Sequence, residues 1–317
     1  MQQSWFFSVF TFGFLVTALF ACQPSNVNEN IVKNNSLQSS LKTTQESHKL
    51  EKSKPKATKR LRNGQQDIII EQMVSGALVQ RPVIIHAPLK VDPQRKYPVV
   101  FALHGNGGSA SNWLPQMRPF IERDGWIGVY PQGIKKSWNL GMERSKADDV
   151  AFIEKVISEL QNYQNIDHER LFVIGYSNGA GMANKLAIHT NYFTAIAAIV
   201  SPLTTKNRPN LNTQPVSVLQ IMGKNDALIP YNGGMSRIGH NFLSAEKSIA
   251  AWANTNGCQI KPRKSRTYSD NAKMEFFGCR EGKQVVHYGA SGVGHRIPRS
   301  FEGGLIKLCL QFFTDQQ

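Results

Sequence analysis

The sequence predicts an α/β fold: a mostly parallel sheet covered by helices on both faces and entered through an antiparallel hairpin. Two observations carry this. Runs that are apolar along their whole length alternate with amphipathic, helix-spaced segments, the pattern of strands buried on both sides. Ahead of that alternation stand two strand-like runs, Asp67 to Val74 and Ala77 to His86, separated only by Ser75-Gly76, a hairpin turn.

After the hairpin, Tyr97 to Leu103 is a continuous apolar strand that runs into the glycine-rich segment His104-Gly-Asn-Gly-Gly108. A helix to about Arg123, the strand Trp126 to Tyr130 and a loop from Pro131 to Arg144 follow. Ser145 to Asn162 reads as a helix because Val150, Ile153, Val156, Ile157 and Leu160 fall on one side. Leu171 opens the next buried strand, which ends in Gly175-Tyr-Ser-Asn-Gly179 and passes into a small-residue helix. Phe193 to Val200 and Val216 to Met222 are two more buried strands, and Ser244 to Asn256 a helix. Lys273 to Phe277 and Gln284 to Tyr288 form a second hairpin, and Phe301 to Phe313 closes the chain as a helix.

The segments ahead of this domain differ in kind. Residues 1–22 are predominantly apolar and free of charge after the terminal amine, and Leu19-Phe-Ala-Cys22 resembles a bacterial lipoprotein signal, with lipid attached at Cys22. An ordinary cleaved signal peptide and a retained membrane anchor are the alternatives, and all three place the protein outside the cytoplasm, as a cell-envelope lipoprotein of the outer membrane or a secreted protein. Residues 23–66 are polar and then basic, without apolar periodicity, and read as a disordered tether. The catalytic-type domain is expected over 67–317. The net charge of +15 is drawn in good part from that tether, and no zinc-finger spacing or basic heptad region supports nucleic-acid binding. The four cysteines match no paired metal-ligand motif, and nothing sets an oligomeric state.

A serine hydroxyl is a weak nucleophile at neutral pH; it needs a base within hydrogen-bond reach and a third group to hold that base. Ser177 stands in Gly175-x-Ser-x-Gly179 between a strand and a helix, the turn that lifts a hydroxyl clear of a sheet. Glycine at 175 and 179 suits a turn whose backbone closes on its neighbours. Asp226 and His295 follow two later strand ends, each in a turn-rich loop, so the chain order is Ser, Asp, His. Taken singly, Asp226 could cap its own turn and His295 could be a solvated loop histidine. His104 is expected to pack beneath the glycine-rich loop and bond to backbone. His48, His168, His189 and His240 lie in polar or helix-end contexts without a base's partner, and His86 and His287 are embedded in strands. The N–H groups of Asn106 and Asn178 are the expected donors to an oxyanion. Asp148 and Asp149 favour the dipole of the following helix and orient loops beside the site. Trp138 and Tyr176 are candidate substrate contacts, with buried packing the alternative for Trp138.

At these residues the chain resembles the polyhydroxybutyrate depolymerase and feruloyl or acetylxylan esterase group of the α/β-hydrolase superfamily. The resemblance spans about residues 78 to 313. It rests on Leu103-His-Gly-Asn-Gly-Gly108, Trp138-Asn139, Asp148-Asp149-Val150, Gly175-Tyr-Ser-Asn-Gly179, Asp226 with Ile229-Pro-Tyr-Asn-Gly-Gly234, Asn256-Gly-Cys258, and Gly294-His295 with Pro298. It implies a cofactor-free serine esterase that acts through an acyl-enzyme on extracellular polyesters, polysaccharide esters or their fragments, with Ser177, Asp226 and His295 as nucleophile, acid and base. It also implies a Cys258–Cys279 disulfide, while Cys309, set among Leu308, Leu310 and Phe312, reads as a buried thiol. Where the group often carries Gly-Gly-Gly-His-x-Trp-Pro, this chain has Gly292-Val-Gly-His-Arg-Ile-Pro298: Ile297 replaces an aromatic substrate contact, and Arg296 points to an acidic or differently shaped substrate. A serine peptidase of the same fold and a non-catalytic surface-binding lipoprotein are the competing readings; the intact Ser, Asp and His weigh against the second.

Overall fold

The structure is a computed structural model and describes residues 57–316; the signal segment with Cys22 and most of the tether lie outside the described residues. The chain opens with β1 (Gln65–Val74) and β2 (Ala77–His86), paired antiparallel about a turn in which Ser75 and Gly76 take φ of 49° and 84°. Two successive positive φ values give the turn that matches strand twist. Then come β3 (Tyr97–Leu103), α1 (Leu114–Asp124), β4 (Ile127–Pro131), α2 (Asp149–Leu160), β5 (Ile166–Tyr176) and α3 (Asn178–His189). The second half holds β6 (Ala195–Ile199), β7 (Ser217–Gly223), the short β8 (Gly234–Met235) and β9 (Asn241–Phe242), and α4 (Ala245–Thr255). It ends with β10 (Arg263–Arg266), β11 (Ala272–Phe276), β12 (Val285–Ala290) and α5 (Leu305–Thr314).

Ten strands form one sheet in the order β1-β2-β4-β3-β5-β6-β7-β12-β11-β10. Its centre, β4 to β12, is parallel, and antiparallel strands flank both ends. Successive strand side chains point to opposite faces, so each apolar run feeds two cores at once. Val99, Phe101 and Leu103 of β3 join Phe152 and Val156 of α2, Met182 and Leu186 of α3 and Trp252 of α4. Val100 and Ala102 turn the other way, toward Met117 and Ile121 of α1 and Leu310 and Phe313 of α5. On that face Phe172 of β5 stacks on Phe313, ring centroids 4.9 Å apart. Burying each such side chain contributes about 1.5–3 kcal/mol.

Register then decides where chemistry can gather. Leu103 pairs with Gly175, Tyr176 with Ile199, Ile199 with Ile221, and Gly223 with Ala290, so these parallel strands end at one rim. The loops leaving that rim are the ones that carry Asn106, Ser177, Asp226 and His295.

Several boundaries differ from the sequence expectation. The described, domain-bound chain starts before Asp67: the Lys59 N–H donates to Asn162 O at 2.8 Å, Lys59 O accepts from Gln164 N at 3.0 Å, and Leu61 is in the core. Residues 57–66 are thus docked rather than tether, because one leucine and a few backbone bonds suffice to hold a segment too polar to show periodicity. The helix expected from Ser145 begins at Asp149: Lys146 takes φ of 53°, and the Asp148 carboxylate caps the first turn by accepting from the Ala151 N–H at 3.0 Å. β10, which sequence reading did not propose, is four exposed polar residues whose strand state comes entirely from backbone pairing with β11.

The Cys258–Cys279 disulfide is present, tying the segment after α4 to the segment after β11. Cys309 is a buried free thiol, and burial pushes its pKa up. Among the described residues no helix is long and apolar enough to cross a membrane.

Candidate active site

Ser177 sits between the last residue of β5 and the first of α3 with φ 55° and ψ −119°. A non-glycine residue there is strained by about 1–3 kcal/mol and persists only where its surroundings over-determine it. They do: the Ser177 N–H donates to Ile199 O at 2.8 Å. A Cβ at Gly175 would lie 2.2 Å from Gly179 O, and one at Gly179 would lie 2.2 Å from Leu103 O. The two glycines of the motif are therefore close approaches of backbone to backbone, one within the turn and one against the neighbouring strand.

His295 Nε2 is 2.9 Å from Ser177 Oγ, and His295 Nδ1 is 2.7 Å from Asp226 Oδ2. Residues 118 and 69 positions apart in sequence thus meet in one line of hydrogen bonds. The other Asp226 oxygen accepts the N–H groups of Leu228 and Ile229, both at 2.9 Å. Both readings of this aspartate hold together: the turn it caps is what aims its second oxygen at the imidazole. Gly223, to which sequence reading gave no role, brings the two loops together, since a Cβ there would lie 2.1 Å from Gly294 O. The Tyr176 hydroxyl donates to His295 O at 2.8 Å and accepts from the Ile297 N–H at 3.2 Å, bracing the histidine loop against β5.

The glycine-rich loop lies over the serine: Gly105 is placed so that a Cβ would touch Ser177 Cβ at 3.5 Å. Gly107 and Gly108 direct their N–H groups to Lys136 O and Gly105 O, whereas the Asn106 N–H makes no backbone bond among the described residues. Asn178 opens α3, so its N–H has no acceptor one turn back. His104 packs beneath the loop as expected, its Nδ1 2.8 Å from Gly105 O and its Nε2 accepting from the Gly133 N–H at 3.0 Å. Burial holds its pKa below the ordinary histidine value.

Trp138 does not line the cleft. It is fully buried, donates from Nε1 to His104 O at 2.9 Å and lies against the His104 ring, so the packing alternative is the one realised. Behind it Asp149 and Arg81, both inaccessible to solvent, form an ion pair at 2.7 Å, and Asp149 Oδ2 accepts the Asn139 N–H at 2.6 Å. The loop-orienting role expected of Asp149 is exerted through this pair, whereas Asp148 acts on its own helix.

Two side chains of the cleft were not anticipated. Asn178, beyond its N–H, uses its amide to hold the 137–143 loop, accepting from the Trp138 N–H at 2.6 Å and donating to Trp138 O at 2.9 Å. Glu143 Oε1 lies 2.9 Å from His240 Nε2, which corrects the expectation that His240 lacks an acidic partner. Burial works against the Glu143 charge, but hydrogen bonds from His240 and from the Met142 and Leu140 N–H groups prevail and hold its pKa below the usual glutamate value. Neither Glu143 nor His240 belongs to a motif, and only the fold brings the two together.

Ser177, His295, Asn106, Asn178 and Tyr176 open on a cleft of about 420 Å³ that is also lined by Leu140, Glu143, Arg144, Ile238, His240 and Phe242. Among the described residues no group of three His, Cys, Asp or Glu side chains converges on a point suited to a metal ion.

The phospholipase/carboxylesterase family pattern matches residues 141–246, a stretch that includes Ser177 and Asp226. Feruloyl esterase B of Piromyces equi is 28% identical over 232 residues, covering 68% of this chain and 42% of that protein. The putative esterase NocK of Nocardia uniformis subsp. tsuyamanensis is 31% identical over 225 residues, covering 63% of this chain and 65% of that one. The chain therefore spans less than two thirds of either relative. An acetyl xylan esterase from Aspergillus awamori superposes with a TM-score of 0.51 over 74% of this chain and 94% of its own, at 16% identity, a likeness of fold alone. The chain has the α/β-hydrolase fold and is similar to esterases of that fold.

Proposed function

We propose that this protein hydrolyses carboxylic esters through an acyl-enzyme on Ser177. The observation that carries the reading is the continuous hydrogen-bonded line Ser177 Oγ, His295 Nε2, His295 Nδ1, Asp226 Oδ2, with spacings of 2.9 and 2.7 Å. Ser177 Oγ attacks the ester carbonyl as His295 takes its proton; Asp226 fixes the imidazole with its proton on Nδ1 and favours the imidazolium that forms. The negative oxygen of the tetrahedral intermediate is received by the N–H groups of Asn106 and Asn178. His295 then passes the proton to the leaving alcohol, and water, deprotonated by the same base, releases the acid. The strained backbone of Ser177 keeps the hydroxyl at the mouth of the cleft, so little reorganisation accompanies attack.

The substrates we propose are extracellular polyesters, polysaccharide esters or their fragments, taken from the esterase relatives and from an exported chain anchored by lipid at Cys22. The Cys258–Cys279 disulfide supports export, since such bonds persist in oxidising compartments. A fluorophosphonate probe should label the wild type and not Ser177→Ala, and that variant should lose ester turnover by several orders of magnitude. Labelling of the alanine variant, or its near-normal turnover, would remove the nucleophile assignment. A substrate panel of p-nitrophenyl esters, feruloyl esters, acetylated xylan, polyester and peptides separates ester from peptide hydrolysis, and mass spectrometry of the mature N-terminus tests the lipid at Cys22.

A further inference from the structure

Among the described residues that line the cleft, Glu143 is the one carboxylate, and Arg144 is the one arginine or lysine. The two are neighbours in sequence and do not pair. Glu143 Oε2 accepts the Leu140 and Met142 N–H groups at 2.6 and 3.1 Å, and Oε1 lies 3.4 Å from Asn178 Nδ2 and 2.9 Å from His240 Nε2. Asp226 is equally committed, to His295 through one oxygen and to the Leu228 and Ile229 N–H groups through the other. Each oxygen of a carboxylate offers about two accepting sites, so both acids are taken up by the machinery around them. Arg144 stands at the tip of a turn closed by the Lys146 N–H, which donates to Glu143 O at 3.3 Å, and it is exposed.

A second arginine is held beside the first by the histidine loop. The Tyr176 hydroxyl bonds to His295 O and to the Ile297 N–H, the residues on either side of Arg296, so the backbone at 296 is clamped over a tyrosine that lines the cleft. Burial raises the pKa of that tyrosine, and the Arg296 charge is near enough to act the other way. Arg296 is exposed, and neither it nor Arg144 forms an ion pair among the described residues. Other surface arginines do: Arg118, Arg123, Arg170, Arg263 and Arg266 each lie 2.7–3.9 Å from a carboxylate. The basic character of the chain is thus locally neutralised at those sites and left open at the mouth of the cleft.

We infer that the cleft takes esters that carry a carboxylate elsewhere in the molecule, with Arg144 in its lining and Arg296 beside the catalytic histidine as the groups that receive that anion. The inference rests on the ester-hydrolase reading and names the charge class of its substrate. A guanidinium presents a planar fork of donors that matches a carboxylate with two parallel hydrogen bonds, and a neutral group of the same shape meets it far less strongly. Leu140, Ile229 and Phe242 in the same lining displace water as the substrate enters, which lowers the local dielectric and strengthens the attraction. The partners lie at the mouth and the attraction is correspondingly open to salt. Chain ends of a polyester and acidic sugars of an esterified polysaccharide both present this chemistry, the one anion per chain and the other anion per residue.

The test uses the full chain and isosteric ester pairs that differ only in charge. Monoethyl adipate is compared with its carboxamide, ethyl adipamate, for the acyl half, and 4-carboxyphenyl butyrate with 4-carbamoylphenyl butyrate for the alcohol half. Each rate is divided by the hydroxide-catalysed rate of the same ester, which removes intrinsic reactivity. Wild type should favour the carboxylate member of at least one pair by about fivefold in kcat/KM at low salt, the upper range for an exposed charge pair, and by less in about 0.5 M sodium chloride. Arg144→Gln combined with Arg296→Gln should bring the ratio close to one. Lys96→Gln removes one exposed charge next to the start of β3, at the opposite rim of the sheet, and should keep the wild-type ratio. A wild-type ratio near one in both pairs overturns the inference while leaving ester hydrolysis standing. So does a ratio that survives the double substitution, or one that Lys96→Gln lowers as much, which would assign it to net charge. A polyester oligomer and an acetylated uronate-bearing polysaccharide, assayed with and without the two arginines, then tell the two sources apart by which loses rate. Failure of the wild type to hydrolyse any of the four small esters would instead strike the ester reading, and the inference with it. Should the double variant not fold, the wild-type ratio and its fall with salt decide.

Discussion

Gly179→Ala sets two effects of opposite sign against each other at one residue. Gly179 is the second residue of α3, where alanine is intrinsically favoured over glycine by about 1 kcal/mol. On propensity alone the substitution stabilises. Yet its Cβ would lie 2.2 Å from Leu103 O and 2.6 Å from His104 O, whereas carbon–oxygen contacts settle at about 3.3 Å. Helix and strand must part by roughly 1 Å, and Leu103 is fully buried at the end of a central strand, so its carbonyl has nowhere to turn. Overpacking of this kind costs about 1–3 kcal/mol, here at the upper end, leaving a net loss of about 2 kcal/mol after the helix gain. For a domain of this size that lowers Tm by about 4–8 °C. Residues 103–106 also carry the proposed oxyanion donor, and a displacement of roughly 1 Å between donor and nucleophile slows turnover about a hundredfold. Thermal unfolding and p-nitrophenyl ester kinetics on the same preparation check both. A variant as stable as wild type, with unchanged kcat, would refute the close approach of strand and helix on which the placement of Ser177 depends.

Two further outcomes follow from buried ionisable groups. His287, completely enclosed between Gln220 at 3.0 Å and the Tyr231 hydroxyl at 2.9 Å, has its pKa pushed down to about 3, chiefly by burial. The unfolded chain takes up a proton near pH 6.5 and the folded one does not. Its stabilising share is therefore present above that pH and lost as pH falls toward 3, by about 1.4 kcal/mol per unit. Urea midpoints measured between pH 4 and 7 should fall less steeply with acid in His287→Gln than in wild type; parallel slopes would contradict this. Asp149→Asn leaves the Arg81 guanidinium buried without its counter-charge and should cost about 3–5 kcal/mol in unfolding free energy, against which a loss under 1 kcal/mol would show the pair to be dispensable.

What could be read from sequence was what local physics specifies by itself. The Ser75-Gly76 hairpin, the doubly buried strands and the strand–serine–helix turn each depend on neighbours a few residues away, and each is found at or within a few residues of where its pattern put it. The helix over Ser145 to Asn162 was legible in its apolar face but not in its start, because Lys146 leaves the helical region and Asp148 takes the cap. The Glu143–His240 pair left no trace, since it joins loops 97 positions apart whose backbones obey no period. Trp138 was undecidable for a related reason: nothing in Trp138-Asn139 tells whether the indole faces a cleft or His104.

Asp226 shows where that boundary runs. Its neighbours fix a local task, capping the turn at Leu228 and Ile229 through Oδ1, and any isolated fragment could in principle do as much. Its second task needs His295, which arrives only because β12 pairs in parallel with β7 and sets Ala290 opposite Gly223. The short-range bond fixes the carboxylate's orientation, and the sheet register supplies the partner at 2.7 Å. A residue that satisfies a local rule with one atom and a distant partner with another looks ordinary in sequence. The chain order Ser177, Asp226, His295 was informative because it spoke for the sheet that joins them and not for any one loop.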